Sequence, residues 1–147
     1  KMAVNFTNNF KNILDKLESI IESEFKGALP VYKGNVIPAG VNQAIQLNPV
    51  ESTLLEYNIN SELREFTISM RFVFNEANVN ETALDYILRQ VSRIEALIHD
   101  NITMTLSDNT NAFNCRFEST TLDAGDEDEN IYVVVWDYKC QHQGNFG

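Results

Sequence analysis

The chain has 147 residues, enough for one domain with a substantial core, and its 44% hydrophobic and 22% charged content is that of an ordinary globular protein. No apolar run approaches the ~20 residues a membrane-spanning helix needs, so no membrane partner is expected. A formal net charge of -10 argues against ordinary nucleic-acid binding, which requires Lys and Arg to neutralise phosphates.

The spacing of Phe6, Phe10, Ile13, Leu14, Leu17, Ile20, Ile21 and Phe25 predicts an amphipathic helix from Phe6 to Phe25, with Asn5 as its cap, Gly27 in a left-handed conformation past its end and Pro30 barring continuation. Between Val31 and Asn60 the signals are short and broken by Gly34, Pro38, Gly40 and Pro49. Short strands are expected at Val31 to Asn35, Gln43 to Asn48 and Thr53 to Asn58, with Val36 to Val41 as a loop or arm. In REFTISMRFVF, Phe66, Ile68, Met70, Phe72 and Phe74 alternate with polar residues, the pattern of a long central antiparallel strand. A second helix follows, capped by Asn78 or Asn80. Leu84, Ile87, Leu88, Val91, Ile94, Leu97 and Ile98 lie along one side, and Glu81, Asp85, Arg89, Arg93 and Glu95 face water or a neighbour. Phe113 to Leu122 and Ile131 to Gln141 read as a hairpin joined by an acidic segment. The second of these strands is apolar on both faces at its start, so one cover is expected from the helices and another from a second subunit.

Two helices inserted among antiparallel strands give an α+β fold: a mainly antiparallel sheet with both helices on one face. A single domain is expected over residues 1–147, with a flexible polar tail at 141–147, QHQGNFG.

Chemistry is sparse. His99 and His142 lie in no metal-ligand spacing, and no phosphate-cradling glycine loop or nucleophile motif is present, so neither an enzyme nor a cofactor is expected. Cys115 and Cys140 fall on neighbouring strands, where a bridge is conceivable and reduced, packed thiols are the expected state. The acidic block Asp123, Asp126, Glu127, Asp128 and Glu129 lacks the ligand order of an EF-hand. It is a solvated hairpin tip, an electronegative assembly surface or, least favoured, a metal site. Arg64, Arg71, Arg89 and Arg93 are candidates for contact with acidic groups of another subunit or for internal surface pairs. Ile37 and Pro38, in the loop before Gln43, are further candidates for subunit contact. A small ligand-binding module using the apolar face around Tyr132 and Trp136 is an alternative reading.

The succession NILDKLESIIESEF, LPVYKGNVIP, QAIQLNPVESTLLEYNINSELREFTISMRFVF, ALDYILRQVSRIEALI and YVVVWDYKC resembles the tail terminator, or tail completion, proteins of tailed bacteriophages over nearly the whole chain. The resemblance implies a structural virion protein, assembled in the host cytoplasm. It would form a ring, commonly a hexamer, on the head-proximal end of the tail tube, stopping tube growth and meeting the head connector. Its partners would be further copies of itself, the tube protein and the connector or another neck component, with genomic DNA passing unbound. Under that resemblance the acidic block becomes a candidate channel lining, since a negative wall lets a polyanion slide with little adhesion.

Overall fold

The computed structural model describes residues 6–34, 37–38, 40–75, 81–123 and 131–145. Two helices, α1 (Asn9–Phe25) and α2 (Glu81–His99), are set among six strands: β1 (Val31–Lys33), β2 (Gln43–Tyr57), β3 (Ser61–Asn75), β4 (Met104–Thr105), β5 (Asn111–Asp123) and β6 (Ile131–Asn145). The strands form one sheet in the order β1-β2-β3-β6-β5-β4, antiparallel throughout except for β1 beside β2. The fold is α+β, as the order of patterns predicts.

β3 and β6 make the centre. They pair without interruption from Ser61 opposite Asn145 to Asn75 opposite Ile131. Alternation turns Phe66, Ile68, Met70, Phe72 and Phe74 of β3, and Val134, Trp136, Tyr138 and Cys140 of β6, into one buried face. α1 closes it with Ile13, Leu14, Leu17, Ile21 and Phe25, and α2 with Ile87, Val91, Ile94 and Ile98. The two helices are clamped together by Arg93, whose guanidinium pairs with the Glu24 carboxylate at 2.7 Å, donates to the Glu24 carbonyl at 3.0 Å and lies 4.3 Å from the Phe25 ring centroid.

Four expectations need correction. α1 starts at Asn9, because the Asn8 side chain accepts the Lys11 amide at 3.1 Å and caps it; Phe6 stands outside the helix, 86% exposed, and Asn5 lies outside the described residues. The two short strands expected on either side of Pro49 are one strand, β2. Pro49 is tolerated because, among the described residues, β1 pairs only with Ile45–Leu47 and β2 is an edge beyond it, with irregularities between Pro49 and Glu51 and between Leu54 and Glu56. The polar tail is strand up to Asn145, since Ser61–Glu65 extend β3 far enough to pair with it, and the alternation through Cys140 brings His142 inward to full burial. On α2, Leu84 and Leu88 remain exposed, whereas Glu95, expected to face outward, turns to the sheet and accepts from Thr120 Oγ1 at 2.6 Å and Trp136 Nε1 at 3.2 Å. The expected caps Asn78 and Asn80 lie outside the described residues.

Phe72 is fully buried at the centre of the sheet. Phe72→Ala is expected to lower the unfolding free energy by about 3–5 kcal/mol in urea titration with an unchanged slope.

Candidate functional site

Among the described residues no group of three or more His, Cys, Asp or Glu side chains is placed to hold a metal ion. Trp136 is fully buried, with Phe117 stacked on it at 5.1 Å, so the aromatic face of β6 is core rather than the wall of an open pocket. Cys115 and Cys140 are buried free thiols. The neighbouring Cys115 thiol, aided by burial, pushes Cys140 well up, which keeps it protonated and unreactive. His99 ends α2. His142 packs edge-on against Phe66 and shares a 2.8 Å hydrogen bond with Thr110 Oγ1, which in turn donates to Asp108 at 2.6 Å.

The candidate arginines are each engaged within the subunit. Arg64 pairs with Glu62 at 3.0 Å, Arg71 donates to Gln46 Oε1 at 3.2 Å, Arg89 pairs with Asp85 at 3.0 Å, and Arg93 forms the clamp on Glu24. Of the loop candidates, Ile37 is half-buried and Pro38 exposed. Asp123 ends β5, while Asp126, Glu127, Asp128 and Glu129 lie outside the described residues.

What remains available for contact is surface. The sheet face away from the helices carries cross-strand polar links: Arg71 to Gln46, Lys139 Nζ donating to Thr67 at 3.1 Å, and Arg116 pairing with Glu65 at 3.1 Å. At its other end Val73, Ile131, Val133 and Val135 are half-buried and belong to no core cluster. The β2 edge and the turn after it expose Val50, Leu54, Leu55, Tyr57 and Ile59. Asn58 builds that turn by accepting the amides of Asn60 and Ser61, each at 2.9 Å, which leaves Ile59 at the tip, 89% exposed. An edge strand this rich in exposed apolar side chains is unusual for an isolated subunit, because natural edges are normally blunted against association. Composition did not reveal it. The signal was present in TLLEYNI, where apolar and polar residues follow no single period.

The sequence matches no family model and no curated protein. The fold does have a counterpart among solved structures: a chain of the virion of a native gene transfer agent particle is similar with a TM-score of 0.62, over 95% of this chain and 100% of that one. Identity between the two is 9%, so the likeness is one of fold.

Two measurements test this electrostatic layout. Arg93→Ala is expected to cost about 1 kcal/mol in chemical denaturation, since it loses a half-exposed ion pair and a cation–π contact together. Arg89→Ala, with its exposed helical pair, should cost under about 0.5 kcal/mol. Burial holds the His142 imidazole below its ordinary value of 6.5, against the pull of Asp108. The neutral ring is therefore the one the fold favours, and its contribution is complete above 6.5 and lost as pH falls below that value. Unfolding free energy measured in urea should decline from pH 7 to pH 5, and His142→Gln should flatten that decline. The lowered carboxyls of Asp15 and Asp108 act in a separate window below their ordinary 3.8.

Proposed function

We propose that this chain is a structural virion protein that acts by assembly: a ring-forming subunit at the head-proximal end of a phage-like tail tube, where it ends tube growth and joins the tail to the head connector. The observation that carries the reading is the end-to-end fold likeness to a gene transfer agent virion chain, which leaves neither chain with a large unmatched portion. The distribution of polar groups supports it. Among the described residues the buried polar side chains are satisfied internally, whereas large exposed apolar side chains gather on a sheet edge, which suits subunit contact better than small-molecule binding.

The -10 charge suits a protein past which DNA moves without adhering. In this reading the segment Asp123 to Glu129 lines the channel. A ring multiplies its charge, and the repulsion keeps a polyanion centred.

Immunogold electron microscopy of intact particles, with antibody raised to this chain, is expected to place label at the head–tail junction alone. Label elsewhere on the particle would discard the terminator role, and unlabelled particles would end the virion reading. In particles carrying Asp126→Asn, Glu127→Gln, Asp128→Asn and Glu129→Gln together, DNA ejection followed by dye fluorescence is expected to slow. An unchanged rate would remove the acidic segment from the channel wall.

A further inference from the structure

Among the described residues the sheet has two open edges, on opposite sides and displaced along the strands. Among the described residues β1 covers β2 only at Ile45–Leu47, so from Asn48 to Leu54 β2 pairs with β3 alone. On the far side, β4 pairs with β5 only at Asn111 and Ala112, and the Ile102 carbonyl accepts the Cys115 amide at 2.9 Å; beyond that point, among the described residues, β5 has β6 alone. Each step of β2-β3-β6-β5 is antiparallel, so β2 and β5 run in opposite directions. A second copy set alongside in the same orientation therefore brings its β2 antiparallel to the first copy's β5. That contact is heterologous and repeats from copy to copy, as a ring requires.

We propose that copies of this chain join by pairing the β2 edge of one with the β5 edge of the next, making a sheet continuous across the subunit boundary. The inference rests on the reading of the chain as an assembling subunit, and it names the surfaces that reading leaves open. The β5 edge is already a slot: a cleft of about 510 Å³ separates it from the end of α2, with Ile98, Ile102 and Phe117 in its lining. An extended segment lying between a helix and a free strand edge is a recurrent mode of strand addition.

The irregularities in both strands select the register. β2 is regular from Glu51 to Leu54, and β5 from Ser119 to Asp123. Ser52 and Leu54 lie on the helix side with Thr120 and Leu122, and Glu51 and Thr53 on the other side with Ser119 and Thr121, so a continuous sheet admits only registers two residues apart. With Thr53 opposite Thr121, Ser52 falls opposite Leu122, a hydroxyl set against an apolar side chain. With Thr53 opposite Ser119, Ser52 meets Thr120 and Glu51 meets Thr121, so that hydroxyls face hydroxyls or a carboxylate. The same register brings Leu54, exposed in the single subunit, to the apolar lining of the cleft.

Thr53 and Ser119 are both exposed, so cysteine at either leaves the core intact. In the proposed register their Cβ atoms come within the ~5 Å of a directly opposed cross-strand pair. The full chain carrying Thr53→Cys and Ser119→Cys, concentrated and oxidised with diamide, is expected to give a ladder of linked species above the dimer on a non-reducing gel. Thr53→Cys with Ser107→Cys, whose second cysteine is in an exposed turn off the edge, should not. Sedimentation of the parent chain measures association independently, and Leu54→Asp is expected to weaken it at least about tenfold. Association without a ladder, or with equal linking in the control pair, would overturn the edge pairing. A chain that stays monomeric when concentrated would overturn it as well, while label at the head–tail junction would leave the virion role standing.

Discussion

The unbroken pairing of β3 with β6 is the constraint on which the rest of the molecule depends. Along the whole length of both strands each residue has a fixed opposite, so the side chains that face the helices are determined together. A slip of one residue would send Phe66, Ile68, Met70 and Phe72 to the outer face and Arg71, Thr67 and Glu65 into the core, a rearrangement no local repacking can absorb. Uninterrupted register there also permits the irregularities elsewhere. β2 and β5, one on each side, carry two shifts each, and the central pair carries none. The sheet is stiff in the middle and adapted at its margins.

The helices follow from that surface. Each supplies one apolar stripe, and polar chemistry joins them at the seam: Arg93 reaches Glu24 and covers Phe25, while Glu95 drops to the sheet and accepts hydrogen bonds from Thr120 and Trp136. An indole N–H buried against a sheet needs an acceptor, and a carboxylate receiving two donors is a stable one. Glu95 therefore serves the core although it belongs to the polar side of its helix. Its neighbours Arg89 and Asp85 remain in solvent, where their pairing contributes little.

Those differences explain what could be read from residues alone. The helix stripes and the alternation of β3 were legible because each has one period and one buried face, and the hairpin of β5 and β6 because apolar runs flank a charged segment. β4 was not legible, being two residues held by a single short pairing, nor was the continuity of β2 through Pro49, where among the described residues β2 has β3 as its only neighbour. The end of β6, with His142, is not legible from residues because QHQGN is polar in composition, and only pairing with Ser61–Glu65 makes it strand. The assembly surfaces are less legible again. An edge is a property of topology, and no residue type marks it.

Charge and edges together limit how copies of such a subunit can meet. At -10 each, two copies repel over roughly the 8 Å Debye length of physiological salt, so association needs contacts that are short-ranged and nearly neutral where they touch. Backbone pairing meets that need: it brings hydrogen bonds without adding charge, and Ser52, Thr53, Ser119, Thr120 and Thr121 flank the open edges with hydroxyls. The carboxylates can then stay on surfaces that touch nothing. In a ring their mutual repulsion is reduced wherever water and salt reach and screen them. A strongly acidic subunit is thus compatible with self-association through strand edges when the charge is left to solvent.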